Sequence, residues 1–331
     1  MAATENILLI RLKSIGDVVL TLPAVHVVRE KFPSAKITFL TSAENASLLR
    51  GFREVNEVIA LDRAALKRPL RAAPEFFRLL QRIRAGKFSL VMDFQGYGET
   101  AWLARLTGAP QRWGAVYSKG RSWAYTQRMA RAENLHPANG HLELLRQCGL
   151  NIGVVKNEFM LPEDALAAAR NFFTDHNLAF NRPTLFLQPF TSSPQKNWPL
   201  ENFLALARQW RERGGQVIFG GGPAERKKLQ PVVAAGIPIS AGVPLLVTGG
   251  LMKLSTLVVG GDTGALHLAV ALGRRVVMLM TSLTPGSPHP FGQPEWTVVA
   301  ENNLGVPGIP LASVAAACEQ AISAPAGNAF C

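Results

Sequence analysis

The chain reads as an α/β protein made of two parallel-sheet units. Apolar runs of four to eight residues alternate with longer helical patterns, the order that βαβ units require. At 331 residues it exceeds one ordinary core and suits two domains of roughly 150 residues each. The alternation also restarts after a polar stretch near the middle, so one α/β unit follows another.

In the first half the strand ILLIRL (7–12) leads into a helix VVLTLPAVHVVREKF (18–32). Then come a strand KITFLT (36–41), a short helix over 43–50 and a strand EVIAL (57–61). A helix APEFFRLLQRIRAG (73–86), a strand FSLVMDF (88–94) and a helix GETAWLARLTG ended by Gly108 complete a doubly wound sheet. A polar region over 156–164 and the helix LPEDALAAARNFFTDHN (161–177) separate this unit from a fresh strand, TLFLQP, which puts the boundary near 160–182. The second half repeats the wiring: helix 200–215, strand QVIFGG, helix 223–236, strand TLVVGG, helix TGALHLAVALG and strand RRVVMLM. The last helix, LASVAAACEQAIS, could belong to either unit.

The formal charge of +12 points to a polyanionic partner: nucleic acid, anionic lipid or a phosphorylated substrate. Eight basic residues fall between Arg63 and Lys87 (Arg63, Lys67, Arg68, Arg71, Arg78, Arg82, Arg84, Lys87) against one acid, Glu75. Arg112, Lys119, Arg121, Arg128 and Arg131 follow with no acid among them. Each run alone reads as a solvated face; two in one half favour an anion-facing surface. Cys148, Cys318 and Cys331 are widely spaced and form neither a disulfide framework nor a zinc motif, which fits a reducing compartment. The start MAATENILLIRLK lacks the pattern of a signal peptide. The longest uncharged run, Gln230 to Met252, is interrupted by Pro231, Pro238 and Pro244 and is expected to form loops and short elements rather than a membrane helix.

In open parallel sheets ligands bind at the carboxyl ends of strands, where helix N-termini attract anions. Three stretches sit there. In VVGGDTGALHLAVALG, Asp262 follows a strand, and Thr263 and Gly264 open a helix whose first turn offers amide N–H groups and a hydroxyl suited to a diphosphate, with His267 one turn in. Asp262 could equally be a plain N-cap. In LQPFTSSPQKNWPLENF, Thr191, Ser192, Ser193 and Lys196 precede a helix and suit phosphate oxygens, or serve as ordinary turn residues. In LLIRLKSIGDVVLTLP, Asp17 is either a general base on an incoming hydroxyl or an N-cap. Glu225, after the glycines 220–222, could reach a ribose hydroxyl or favour a helix's first turn.

RLKSIGDVVLTLPAVHVV, PFTSSPQKNWPLENF and GGDTGALHLAVALGRRVVML resemble the three signature regions of the ADP-heptose:lipopolysaccharide heptosyltransferases, glycosyltransferase family nine, in the right order. VMDFQGYGETAWLARLTGAPQRWG resembles that family's Asp-x-Gln-Gly turn and helix, and HLELLRQCGL its interdomain segment. The resemblance implies a GT-B architecture, two Rossmann-like domains facing across a cleft: an acceptor domain over 1–165 and a nucleotide-sugar domain over 180–331, with packing of the last helix back on the first left as an alternative. It implies inverting transfer of a heptose from ADP-heptose to the Kdo-bearing lipid A core. Asp17 would be the base. Lys196, Thr191, Ser192, Thr263 and Gly264 would hold the departing diphosphate, Asp262 and His267 would order that loop or touch the sugar, Glu225 would take the ribose and Val243 would lie near the adenine. Arg11, Ser14 and Gly16 would lie on the acceptor side. With no carboxylate cluster or DxD motif, a metal-independent reaction is expected.

The same resemblance implies a monomer at the cytoplasmic face of the inner membrane, docked on an anionic lipid A-core acceptor through the basic runs. Where the family continues Gly-Pro-Thr after this strand, the chain has Thr281, Ser282, Leu283, Thr284 and Pro285, and Thr284 is the candidate replacement. The alternatives are a transferase of another nucleotide sugar, a nucleotide-sugar epimerase or hydrolase, and a basic nucleic-acid-binding protein. The basic runs carry little aromatic interleaving and no familiar nucleic-acid motif, which disfavours the last.

Overall fold

The computed structural model describes residues 5–116, 119–130, 132–301 and 304–324, without the side chains of Pro69, Leu70, Arg71 and Lys119. Arg131 and Cys331 lie outside the described residues, as do the side chains of Arg71 and Lys119. The chain divides into two compact units, Met1–Asn157 and Glu158–Cys331.

The first unit's described residues form a six-stranded parallel sheet from β1 (Asn6–Ile10), β2 (Lys36–Ser42), β3 (Glu57–Leu61), β4 (Leu90–Asp93), β5 (Gln111–Val116) and β6 (Gln127–Ala130). Their order is β3-β2-β1-β4-β5-β6. The chain builds outward from β1 to β3, then returns to the other side of β1, so the switch point lies between β1 and β4. Ile7 of β1 stands opposite Ile37 on one side and Leu90 on the other. Helices cover the sheet, so its central strands are apolar throughout rather than alternating. Leu8, Ile10, Leu40, Ile59 and Val91 are fully buried or nearly so against Leu79 and Ile83 of the helix Pro69–Ala85.

The second unit repeats the plan with β7 (Thr184–Gln188), β8 (Gln216–Phe219), β9 (Leu257–Gly261), β10 (Val276–Met280) and β11 (Thr297–Val299), in the order β11-β10-β9-β7-β8. Its switch point lies between β7 and β9. The helix Glu163–Asp175 packs here, on the helix Leu245–Leu254, where Gly250 permits the approach. A Cβ at Gly250 would stand 2.6 Å from that of Ala169. The last helix, Leu311–Ser323, also belongs to this unit, since its buried Val314, Cys318 and Ala321 join the core of Leu185, Leu187, Val259 and Leu279.

Several elements differ from the sequence-based pattern. The helix expected over 18–32 is two helices, Ile15–Val19 and Leu22–Lys31. Thr21 Oγ1 donates to the Val18 carbonyl at 2.7 Å, and Pro23 in the next helix's first turn brings no N–H to continue the ladder. The stretch 223–236 is a 3-10 turn, Pro223–Glu225, and a short helix, Gln230–Ala234. The uncharged run contains part of the ten-residue helix Leu245–Leu254, and among the described residues no helix is long and apolar enough to cross a membrane.

Candidate active site

At the first switch point, the loop after β1 and the loop after β4 are laced together. Arg11 is buried; its Nη1 donates to the Phe94 carbonyl at 2.6 Å and its Nη2 meets Asp17 Oδ1 at 2.7 Å. Asp17 stands in the first turn of the helix Ile15–Val19. Ser14, the residue preceding that helix, donates its backbone N–H to Asp17 Oδ2 at 2.7 Å and its hydroxyl at 3.2 Å. Ser14 is therefore the cap, and Asp17 is the returning carboxylate of a capping box. With 37% of its side chain exposed, Asp17 keeps a face open to a substrate. Gly16 is buried in the same turn.

The partner loop is held by Asp93 at the end of β4. Asp93 Oδ1 accepts from the N–H groups of Gln95 (2.8 Å) and Gly96 (3.0 Å), and Oδ2 accepts from the Tyr125 hydroxyl (2.6 Å). Burial raises the Asp93 pKa against these hydrogen bonds. Gly96 sits at φ +67°, a conformation side chains disfavour. The turn carries Gln95 back over the β1 loop, where its Oε1 accepts from Leu12 N–H at 2.9 Å and Lys13 N–H at 3.3 Å. The Asp-x-Gln-Gly pattern after a strand was the visible signal for this clamp; its target was not visible.

At the second switch point the loops after β7 and β9 meet. Gly261 has no room for a side chain: a Cβ would lie 2.7 Å from Thr191 Cγ2 and 3.0 Å from the Lys196 carbonyl. Thr191 N–H donates to Asn197 Oδ1 at 2.7 Å and Thr191 Oγ1 to the Ser193 carbonyl at 2.7 Å. Trp198 anchors the loop's far end, buried in the core with its indole N–H on the Ile309 carbonyl at 2.8 Å. Lys196 Nζ reaches Asp262 Oδ2 at 3.2 Å, and His267 Nε2 lies 3.2 Å from Asp262 Oδ1. Burial pushes the Asp262 pKa up, but the hydrogen bond and charge of His267 and the charge of Lys196 outweigh it and hold the carboxyl below its ordinary value. An ionised carboxylate only accepts, so His267 Nε2 carries the proton between them. Thr263, not Asp262, caps the helix Gly264–Ala271, its side chain accepting from Leu266 N–H. Gly264 and the free amides of that first turn remain at the mouth, beside a half-exposed ammonium.

Ser192 is exposed within the Thr191–Lys196 loop. Glu225 is in the 3-10 turn after β8, where its Oε2 would be 2.7 Å from a Cβ at Gly222. Val243 borders a groove of ≈ 1060 Å³ that also touches Gln216 and Val217 of the edge strand and Arg226. Thr284 Oγ1 is 2.9 Å from Ser287 Oγ in the loop after β10. The second unit thus brings Thr191, Lys196, Asp262, Thr263 and His267 together, with Glu225 and Val243 farther along the same sheet's loops. Among the described residues no group of three or more His, Cys, Asp or Glu side chains could hold a metal ion.

Two parallel α/β units of this topology form the GT-B fold. Residues 76–304 match the model of glycosyltransferase family 9 (heptosyltransferase), well over half of the chain, and the chain belongs to that family. It is 27% identical over 297 residues to lipopolysaccharide heptosyltransferase 1 of Pseudomonas aeruginosa, covering 87% of this chain and 82% of that one. A glycosyl transferase family 9 structure from Veillonella parvula superimposes with a TM-score of 0.84 at 22% identity, covering 97% of this chain and 98% of its own. The Escherichia coli heptosyltransferase WaaC with ADP-2-deoxy-2-fluoro heptose gives a TM-score of 0.76 at 20% identity over 95% and 99% of the two chains.

Proposed function

We propose that the protein transfers a heptose, with inversion and without a metal ion, from ADP-L-glycero-D-manno-heptose to the inner core of lipopolysaccharide, on Kdo-lipid A or heptosyl-Kdo-lipid A. The observation that carries this reading is the Lys196–Asp262–His267 chain beside the mouth of the helix Gly264–Ala271. As the glycosidic bond to ADP breaks, negative charge grows on the diphosphate. A lysine ammonium and oriented amide N–H groups are the stabilisers such a leaving group needs. Asp262 aims the ammonium, and His267 aims Asp262. Thr191 and Ser192 add hydroxyls to the phosphate site, Glu225 takes the ribose and Val243 the adenine face.

In this reading the first unit binds the acceptor. Asp17 removes the proton of the attacking hydroxyl, which approaches the anomeric carbon from the side opposite ADP. Arg11 and Ser14 fix the carboxylate so that its open lone pairs face the acceptor. The relatives' names, lipopolysaccharide heptosyltransferases, support the donor and acceptor classes. The excess of exposed basic side chains, among them Lys67, Arg68, Arg78, Arg84 and Arg105, supports docking of a monomer at the anionic cytoplasmic face of the inner membrane.

The test is incubation with ADP-heptose and core acceptors of increasing length, with and without EDTA, followed by mass spectrometry. A heptose added to one acceptor at an EDTA-insensitive rate is expected. ADP-heptose cleaved at that rate with no acceptor present would make the protein a hydrolase instead.

A further inference from the structure

Two residues in the wall of the cavity beside Asp17 carry a polar atom to which no role has yet been given. It is small, ≈ 40 Å³, and Arg11, Asp17, Phe94, Gln95, Met129 and Leu135 are among its walls. A water molecule needs about 10–15 Å³ of such room, so the cavity admits one edge of a sugar rather than a whole ring. Both Arg11 and Gln95, residues of its wall, bury a nitrogen without a hydrogen-bond partner, Arg11 Nε and Gln95 Nε2. The orientation of the Gln95 amide follows from its other end. Two N–H groups, Leu12 and Lys13, converge on one terminal atom, and only the oxygen can accept from them, so the NH2 group is the atom left over. Gln95 as a residue is 1% exposed, so bulk solvent does not stand in for a partner. Buried donors in folded proteins are satisfied almost without exception, and one that is not calls for a partner such as a bound water, an ion or a ligand.

We propose that Gln95 Nε2, together with Arg11 Nε, binds an oxygen of the acceptor sugar next to the hydroxyl that reacts. The site then recognises two neighbouring sugar oxygens: one hydroxyl donates its hydrogen to Asp17, and the adjacent oxygen accepts from Gln95 and Arg11. That second oxygen is a hydroxyl rather than a carboxylate, because a second anion would share the cavity with Asp17. Met129 and Leu135 supply an apolar wall for the ring's C–H edge. Gln95 thus does two things at once. Its oxygen clamps the loop that bears Asp17, and its nitrogen sets the acceptor in register with that carboxylate. This assignment rests on the acceptor role given above to the first unit.

The test is steady-state kinetics of the full chain and of Gln95→Glu and Gln95→Met, with ADP-heptose and de-O-acylated Kdo-lipid A as the probe acceptor. Gln95→Glu keeps an oxygen for the Leu12 and Lys13 amides and loses the donor; Gln95→Met loses both without adding charge. Both variants are expected to raise the acceptor KM by about tenfold or more, the effect of one lost buried hydrogen bond. The donor KM and ADP affinity stay at wild-type values, while Tm falls in both variants: Gln95→Glu buries a second carboxylate beside Asp17, and Gln95→Met loses the clamp on Leu12 and Lys13. An unchanged acceptor KM in either variant overturns the assignment, as does an equal loss of donor affinity. A wild-type chain that moves no heptose to any acceptor overturns the proposed function and this assignment with it; normal wild-type transfer with unaltered variants overturns the assignment alone.

Discussion

Lys196 Nζ and Asp262 Oδ2 lie 3.2 Å apart although 66 residues separate them in the chain. The contact ties the loop after β7 to the loop after β9 and presents the ammonium at the helix mouth on a side chain that is half exposed. An anion that enters there meets a cation already positioned, so little ordering is left for binding to accomplish.

Removing that cation should therefore weaken the donor site directly. Lys196→Ala is expected to raise the dissociation constant of ADP at least about tenfold, the scale of one charge-assisted hydrogen bond. Turnover should fall further, because charge on the diphosphate is larger in the transition state than in the bound donor. Isothermal titration with ADP and transfer rates at saturating donor check both parts; ADP binding at wild-type strength would remove Lys196 from the site.

Asp17→Asn retains a capping oxygen for Ser14 and loses the base. Transfer is expected to drop by about 100-fold or more, with ADP affinity unaltered. Rate measurements at saturating acceptor decide the matter, and normal turnover would refute the assigned base.

The depressed pKa of Asp262 gives a pH prediction. Folding lowers this carboxyl from its ordinary 3.8, through His267 and Lys196 acting against burial. A carboxyl lowered by folding stabilises the native state fully above its unfolded pKa and loses that contribution as the pH falls through the folded one. Wild-type stability should accordingly decline below about 3.8 partly through this group, and Asp262→Asn should show a shallower acid limb, as read by urea unfolding at a series of pH values. Identical acid limbs would mean that the charge triad carries none of this acid sensitivity.

Gly261→Ala tests the close approach at the second switch point. The new methyl would fall 3.0 Å from a backbone carbonyl and 2.7 Å from Thr191 Cγ2, so the loop carrying Lys196 must shift. A destabilisation of about 1–3 kcal/mol is expected from overpacking of this kind, with ADP binding weakened alongside it. Denaturant melts and ADP titration of one preparation check both; an unchanged Kd would show that the loop's position does not matter for the anion.

Much of this arrangement was legible in the sequence because it is local. Val258, Val259 and Gly260 form a buried strand, and whatever follows a parallel strand lands at its carboxyl end, so Asp262 and Thr263 were placed by pattern alone. Their division of labour was not. Thr263 caps the helix while Lys196 and His267 each hold one oxygen of Asp262, and the contact with Lys196 is made across loops. Likewise Asp17 was visible, but the capping box with Ser14 and the ion pair with Arg11 needed coordinates. The strands β5, β6 and β11 escaped notice because β5 and β6 open on polar pairs, Gln111–Arg112 and Gln127–Arg128, and β11 is a three-residue edge strand. The Gln95 clamp spans 83 residues, beyond the reach of any local rule.

Each switch point is stitched from segments remote in the chain, Arg11 with Phe94 and Lys196 with Asp262. Parallel pairing of that kind forms only after long loops have closed, which is slow relative to helix formation. Catalytic competence is thus among the last properties to appear on refolding, and recovery of helical signal will run ahead of recovery of enzymatic rate.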